Sequence, residues 1–354
     1  MGQTEPLQLQ QSAIHHSKPS AIWPALSLIL VAPLVAEFLL GDLPIKLLPA
    51  LIFLAPMYGG GALLIRESVR RTGRGWPSML LLGMAYAIFE EAFTTQSLFN
   101  PNYLRLNLGL LTPAFIPALG ISAWWTLWMF MVHAIWSIST PIALVEACVP
   151  NRATTPWLGP KGLAVVAIVF LLGAAAGTAI GYRQDHFRAS IPQFIGAAVV
   201  VLSFSVLAFL IPIRPQQQPQ ISAPSPWFVS PLLVAASALA FGSAALFVPM
   251  RWGWGAVAAL LALDLAMLLL VIPWSRLAFW TLKHQLALGA GAALAYGWHA
   301  FVQVPAVGKP DASFRIGNAI FLAAAIALIL FAATRKPPLT ESAQTGTPPP
   351  ATHG

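Results

Sequence analysis

Long apolar runs separated by short polar joints repeat along the whole chain. They fall at about 22–40, 43–65, 76–97, 121–149, 161–182, 191–212, 228–250, 252–274, 277–304 and 315–334. Each reaches or approaches the roughly 18 residues that carry a helix across a bilayer. The hydrocarbon core offers no water to peptide groups, so each run must close its own hydrogen bonds as a helix. The pattern therefore predicts an all-α polytopic bundle of about ten transmembrane helices. The fourth and ninth runs outlast a single crossing, which predicts tilt or projection beyond the hydrocarbon. Pro141 predicts a kink in the fourth.

The polar segments at either end read differently. Residues 1–21 lack the basic start, short apolar core and cleavage site of a secretory signal and read as a disordered cytoplasmic tail. Residues 335–354 have the same character. Between the tails, the ionisable residues concentrate in 22–150, an N-terminal membrane module of four helices. Residues 151–334, mostly plain Ala/Leu-rich span, read as about six accessory helices.

Composition sharpens the picture: 58% of the 354 residues are hydrophobic, 8% are charged, and the mean hydropathy is +0.75. That excludes a soluble domain. Orientation follows from Lys and Arg at the joints. Placing the cluster Arg66, Arg70, Arg71 and Arg74 in the cytoplasm puts both termini inside. It assigns Lys18, Arg152, Lys161, Arg214, Arg276, Lys283, Arg335 and Lys336 there too, twelve of the nineteen basic residues. Arg183 and Arg188, in an outer joint, run against the bias. The net charge of +8 suits topology and anionic headgroups, with no basic stripe interleaved with aromatics to suggest nucleic acid. The expected location is a bacterial cytoplasmic membrane. Trp23, Trp76, Trp124, Trp125, Trp252 and Trp274 sit near span ends as an interfacial belt. The single cysteine, Cys148, forms no intrachain disulfide and reads as a small apolar residue.

Five acidic residues fall inside predicted spans: Glu37, Glu90, Glu91, Glu146 and Asp264. Each costs roughly 2.5–3.5 kcal/mol at mid-membrane on insertion scales, so a partner or a wet cavity is expected. Glu146, near the cytoplasmic end, is expected to reach the interface. Counting about 1.5 Å per residue from the cytoplasmic edge puts Glu91 and Glu37 about 22 Å in and His133 about 24 Å in. Tyr86, Glu90, Thr94 and Ser97 form one polar stripe at helical spacing, and His133, Ser137 and Thr140 form another. Facing each other, the stripes would line a hydrophilic cleft with Glu90, Glu91 and His133 as its site and Glu37 as a contributor. The alternative is interhelical hydrogen-bond glue. Gly59, Gly60 and Gly61 read as close helix packing, with Arg66 and Glu67 closing the cytoplasmic end. His186, His284 and His299 each stand alone. HExxH and Cys-x-x-Cys are absent.

Glu90–Glu91 on one helix and His133 on the next resemble the CPBP family, the CAAX-protease and bacteriocin-processing membrane proteins. That family shows EExxxR, then FxxxH, then a polar pair such as HxxxN. Thr95 stands in place of the arginine and Met129 in place of the phenylalanine. The third motif has only the remote His299 with Gln303 or the surface pair His186 and Ser190. The resemblance implies a glutamate-dependent membrane peptidase acting on a membrane-associated peptide. One glutamate would activate water, and His133 with Glu91 would belong to the ligand set of any divalent metal such as zinc.

Two other readings stand beside it. In a proton- or cation-coupled transporter, Glu37, Glu90, Glu91 and Asp264 carry the ion, and breaks at Pro33, Pro56 and Pro141 are expected. In a non-catalytic scaffold, the cleft serves binding alone. In all three, the long loop 98–120 is expected on the outer face as a packed lid.

Overall fold

The computed structural model describes residues 22–213 and 226–336. The tails read as disordered thus fall outside the described residues, apart from Arg335 and Lys336. The described residues form ten helical rods. They are α1 (Ile22–Leu39), α2 (Ile45–Arg71), α3 (Trp76–Phe89, running on as Glu90–Thr94), α4 (Ala123–Cys148) and α5 (Pro160–Asp185). There follow α6 (Ile191–Leu210), α7 (Pro231–Leu246), α8 (Trp254–Trp274), α9 (Leu282–His299) and α10 (Ala312–Thr334). A two-stranded hairpin, β1 (Phe115–Ile116) paired antiparallel with β2 (Ile121–Ser122), interrupts the loop between α3 and α4. The molecule is an all-α membrane bundle.

Seven rods are long and apolar enough to cross a membrane: α1, α2, α4, α5, α6, α8 and α10. α7 is apolar but shorter, with 16 residues. α3 carries Glu90 and Glu91, and α9 opens on Lys283, His284 and Gln285. These two pack against other protein, α3 on α6 and α4, α9 on α7, α4 and α10. The ninth apolar run is shorter as a helix than its hydropathy predicts, because residues 275–280 and 300–303 form turns and Thr281 caps the start of α9.

Burial separates the centre from the perimeter. In α4, 78% of the most apolar 18-residue window is buried, against 11% in each of α5, α6 and α8. The perimeter helices present Leu, Ile and Val outward because lipid is their solvent. α4 is held in place by Trp136, whose ring stacks on Tyr296 at 4.6 Å and whose Nε1 donates to the Ala292 carbonyl at 2.7 Å. Gly59 lets α2 meet α1, since a Cβ there would overlap the Ile29 carbonyl, and a Cβ at Gly61 would overlap the Tyr86 ring.

At one end of α2 and α4 lies a buried ionic network. Arg66 donates from Nη1 to Glu67 at 2.6 Å, from Nε to Glu146 at 3.1 Å, and from Nη2 to the carbonyls of Arg152 and Ala153. Arg70 grips both oxygens of Glu146, at 2.9 and 2.6 Å. Glu67 accepts from the backbone N–H groups of Trp157 and Leu158, and the Arg66 guanidinium lies 3.6 Å from the Trp157 ring centre. Arg66, Glu67 and Glu146 are fully buried. Glu146 therefore does not reach the interface as its position suggested. Two arginines hold it inside, because a carboxylate withdrawn from water needs partners at every lone pair.

Candidate functional site

Among the described residues four segments are π-helical: Leu34–Leu39, Ala55–Gly59, Glu90–Thr94 and Val132–Ser139. Each carries a polar residue of one cluster: Glu37, Tyr58, the Glu90–Glu91 pair, and His133 with Ser137. Proline accounts for part of this. Pro33 directly precedes the first segment, Pro56 lies in the second, and Pro141 follows the fourth within two residues. A proline has no N–H for the carbonyl four residues back, so the local ladder is already broken there. No proline adjoins Glu90–Thr94. There the N–H and hydroxyl of Thr95 both reach the Glu90 carbonyl, at 2.9 and 3.3 Å, and draw the chain into the wider turn. Such turns appear often at functional sites because they re-aim side chains.

Glu91 and His133 meet directly, His133 Nε2 lying 2.8 Å from Glu91 Oε1. The other Glu91 oxygen accepts from Thr95 Oγ1 at 2.9 Å and from the Ser97 hydroxyl, itself held by Trp125 Nε1 at 3.0 Å. On the far side of the ring, His133 Nδ1 faces Ser137 Oγ at 3.2 Å and Glu90 Oε2 at 3.7 Å. The imidazole thus stands between two carboxylates from one helix. An ionised carboxylate only accepts, which assigns the Nε2 proton to the ring and leaves Nδ1 to exchange with Ser137 and Glu90. Tyr58 stacks on His133, with centroids 6.1 Å apart, and donates to Glu37 at 2.6 Å. Tyr86 meets the ring edge-on at 5.8 Å.

Glu90, Glu91 and His133 are 1%, 6% and 4% exposed, so the polar groups close on one another instead of lining an open cleft. Two buried polar atoms in the cluster, Glu90 Oε2 and the Tyr86 hydroxyl, have no hydrogen-bond partner. With Glu37, three carboxyl groups share a single imidazole.

The predicted stripes hold only in part. Tyr86, Glu90 and Ser97 lie at or beside the cluster, but Thr94 turns to α5, where a Cβ on Gly177 would come within 2.9 Å of its methyl group. The π turn closes α3, and on it Glu91 rather than Glu90 makes the direct contact with His133. Glu37 contacts Tyr58 and reaches the ring only through it. Asp264 stands half-buried on the perimeter helix α8, away from the cluster. No second histidine joins the site among the described residues. His284 bonds Thr281 and the Val229 carbonyl, His299 lies against Phe247, and His186 ends α5. Gln303, the residue at the spacing of a third motif, donates to Asp42.

Sequence reasoning missed Tyr58 and Asp42. Tyr58 immediately precedes the glycine run and stands near the cluster's depth, a signal that depth counting over all polar residues would have caught. Asp42 lies one turn beyond Glu37, its N–H bonded to the Glu37 carbonyl at 3.0 Å. Burial, and then the nearby Glu37 carboxylate, push the Asp42 carboxyl up to about 8. Residues 95–122 cover this end of the cluster. They are fastened to α5 where Asn100 Nδ2 and the Leu104 N–H donate to Asp185 at 2.8 and 3.0 Å. Burial raises the Tyr103 phenol, and the carboxylates Glu91, Glu37 and Glu90 below add to the rise.

Glu90, Glu91 and His133 each offer an atom within 4.8 Å of the others. A tetrahedral zinc with ligands at about 2.0 Å spaces neighbouring donors about 3.3 Å apart and leaves no proton between them. The 2.8 Å Glu91–His133 contact is a hydrogen bond, so a metal taking both as ligands would replace the proton they share.

Residues 26–170 match a family described as an uncharacterized membrane protein family. The matched stretch holds most of α1, all of α2 to α4, the start of α5, every residue of the Glu/His cluster and the whole Arg66–Glu146 network. No curated protein and no solved structure matches the chain. The match and the apolar helices make it a multi-pass integral membrane protein in contact with lipid. Nothing among these comparisons supports the resemblance to CAAX proteases and bacteriocin-processing proteins.

Proposed function

We propose that the Glu37–Tyr58–Glu90–His133–Glu91 cluster is a proton-exchange site and that the chain is a proton-coupled membrane transport protein. The observation that carries this reading is His133 between two buried carboxylates, with both ring nitrogens facing acceptors. An imidazole so placed takes a proton on one face and releases it from the other without moving. Buried carboxylates in excess of cations need a proton or cation to balance them, and intramembrane acids of this kind are the usual material of proton relays. Asp42, Glu37 and Tyr58 extend the series of exchangeable groups toward the 40–45 joint. The family match to 26–170 supports treating 22–150 as the functional module.

Flux of protons into vesicles reports the activity. In proteoliposomes carrying a pH-sensitive dye, the wild-type chain dissipates an imposed pH gradient. Glu91→Gln and His133→Gln each slow dissipation at least tenfold while eluting as folded protein. Undiminished flux in the triple variant Glu37→Gln/Glu91→Gln/His133→Gln refutes the reading.

The direct Glu91–His133 contact favours one other reading, a membrane-embedded peptidase in which the pair activates water. In that case the chain cleaves a membrane-associated peptide, Glu91→Gln abolishes cleavage, and no gradient is dissipated. Metal chelators are expected to leave proton flux unchanged and to stop cleavage only if Glu91 and His133 hold a metal.

A further inference from the structure

A cleft of about 470 Å³ opens between α5, α6 and the end of α3, lined by Phe93, Gln96, Thr178, Tyr182, Arg188 and Phe194. We propose that it binds one anionic phospholipid, with the phosphate on Arg188 and an acyl chain along Phe93 and Phe194.

The occupant follows from where the cleft opens and what lines it. α5 and α6 are the perimeter helices, with 11% of their apolar windows buried, so the opening faces the bilayer laterally. Phe93 and Phe194 stack at 5.6 Å to make an aromatic wall of the kind an acyl chain packs against. Arg188 is exposed at the mouth and pairs with no carboxylate among the described residues. Its planar fork matches a phosphate with two parallel hydrogen bonds. A tethered anion also explains why Arg188 opposes the charge bias of the other joints: here the arginine serves a ligand instead of topology. The neighbouring cleft of about 280 Å³ provides the contrast. Its lining of Ile52, Phe53, Pro56, Val169, Leu172, Gly173 and Ala176 is wholly apolar and has no means of selecting a headgroup.

The cleft is built into the fold near the cluster. Gln96 sits in the left-handed region at φ 56°, a conformation that non-glycine residues adopt at a cost, and its Oε1 accepts the Ala189 N–H at 2.7 Å. That bond fixes the short connection bearing Arg188 to the segment that follows Glu91.

Native mass spectrometry of the purified full chain tests the proposal. The protein is exchanged into nonionic detergent and titrated with phosphatidylglycerol or phosphatidylcholine of identical acyl chains. Wild type is expected to retain one phosphatidylglycerol with at least a tenfold preference. Arg188→Gln is expected to lose that preference, Arg188→Lys to keep part of it, and Arg183→Gln to keep it all. Thr178→Trp, which fills the cleft and spares the arginine, is expected to exclude the lipid. Equal retention of both lipids by wild type overturns the proposal. So does unchanged preference in Arg188→Gln, or retention of glycerol 3-phosphate as tight as that of phosphatidylglycerol. The readout is lipid retention, so it stands or falls apart from proton flux.

Discussion

α2 and α4 each contribute to both buried polar sites, α2 with Arg66, Glu67 and Arg70 in the ionic network and Tyr58 in the Glu/His cluster, α4 with Glu146 and His133, and the two sites are built to different rules. In the ionic network Arg66, Arg70, Arg71, Glu67 and Glu146 sit on regular α-helix, guanidinium groups outnumber carboxylates, and every carboxylate oxygen is bonded to guanidinium or backbone N–H. In the cluster Glu37, Tyr58, Glu90, Glu91 and His133 all sit on π-helical turns, carboxyl groups outnumber cations, and Glu90 Oε2 and the Tyr86 hydroxyl have no hydrogen-bond partner. Regular backbone with saturated polar groups marks a clasp that holds helices together. Distorted backbone with unsaturated polar groups marks a place where something is exchanged.

The largest expected effect lies in the clasp. Glu146→Ala strips Arg66 and Arg70 of their shared acceptor and is expected to cost about 3–5 kcal/mol, as removing one partner of a buried pair does. Thermal unfolding in detergent measures it. Glu91→Gln is expected to lower the unfolding temperature by less than half as much while abolishing proton flux. If the two variants are equally destabilised, the distinction between clasp and exchange site fails.

A smaller effect is expected at Asp42, whose folded carboxyl titrates near 8, against an ordinary value of 3.8. Raised folded affinity for a proton stabilises the protein at low pH, and that contribution is lost as pH climbs toward 8. Stability measured from pH 5 to pH 9 should therefore decline, and Asp42→Asn should flatten the decline. The smallest change is expected for Tyr86→Phe. Deleting an unpaired buried hydroxyl shifts stability by no more than about 0.5–1 kcal/mol, yet flux should fall if the hydroxyl serves exchange.

Much of the bundle was legible in the sequence because lipid imposes a simple rule: every crossing must be apolar and long. Seven of the ten rods follow from that rule, while α3, α7 and α9 fall short of it; the shared level of Glu37, Glu91 and His133 followed from counting helical rise. The ends of α9 followed from neither, since residues 275–280 and 300–303 are as apolar as the helix yet form turns. The burial of Glu146 was hidden because its partners, Arg66 and Arg70, stand 80 and 76 residues away in the chain. The choice of Glu91 over Glu90 as the partner of His133 was also out of reach. Neighbouring helix positions lie about 100° apart, and which of the two faces His133 depends on the rotation of α3 against α4, which a helical wheel does not fix. Tyr58 was passed over because an aromatic residue in an apolar run carries no mark of its hydroxyl's task.

The π turn at Glu90–Thr94 also has a genealogical meaning. A helix whose two ends are already docked absorbs one added residue by widening a turn, so such a bulge is what a single inserted codon leaves behind in the backbone. Removing one residue between Glu90 and Thr94 is thus the change by which a straight helix could be recovered, keeping its apolar faces against α4 and α6. Taken from residues 92–94, that residue lies downstream of Glu91, so the deletion would draw Thr95 and Ser97 out of reach of the Glu91 carboxylate. A variant lacking that one residue would keep the architecture and strip Glu91 of its hydroxyl donors.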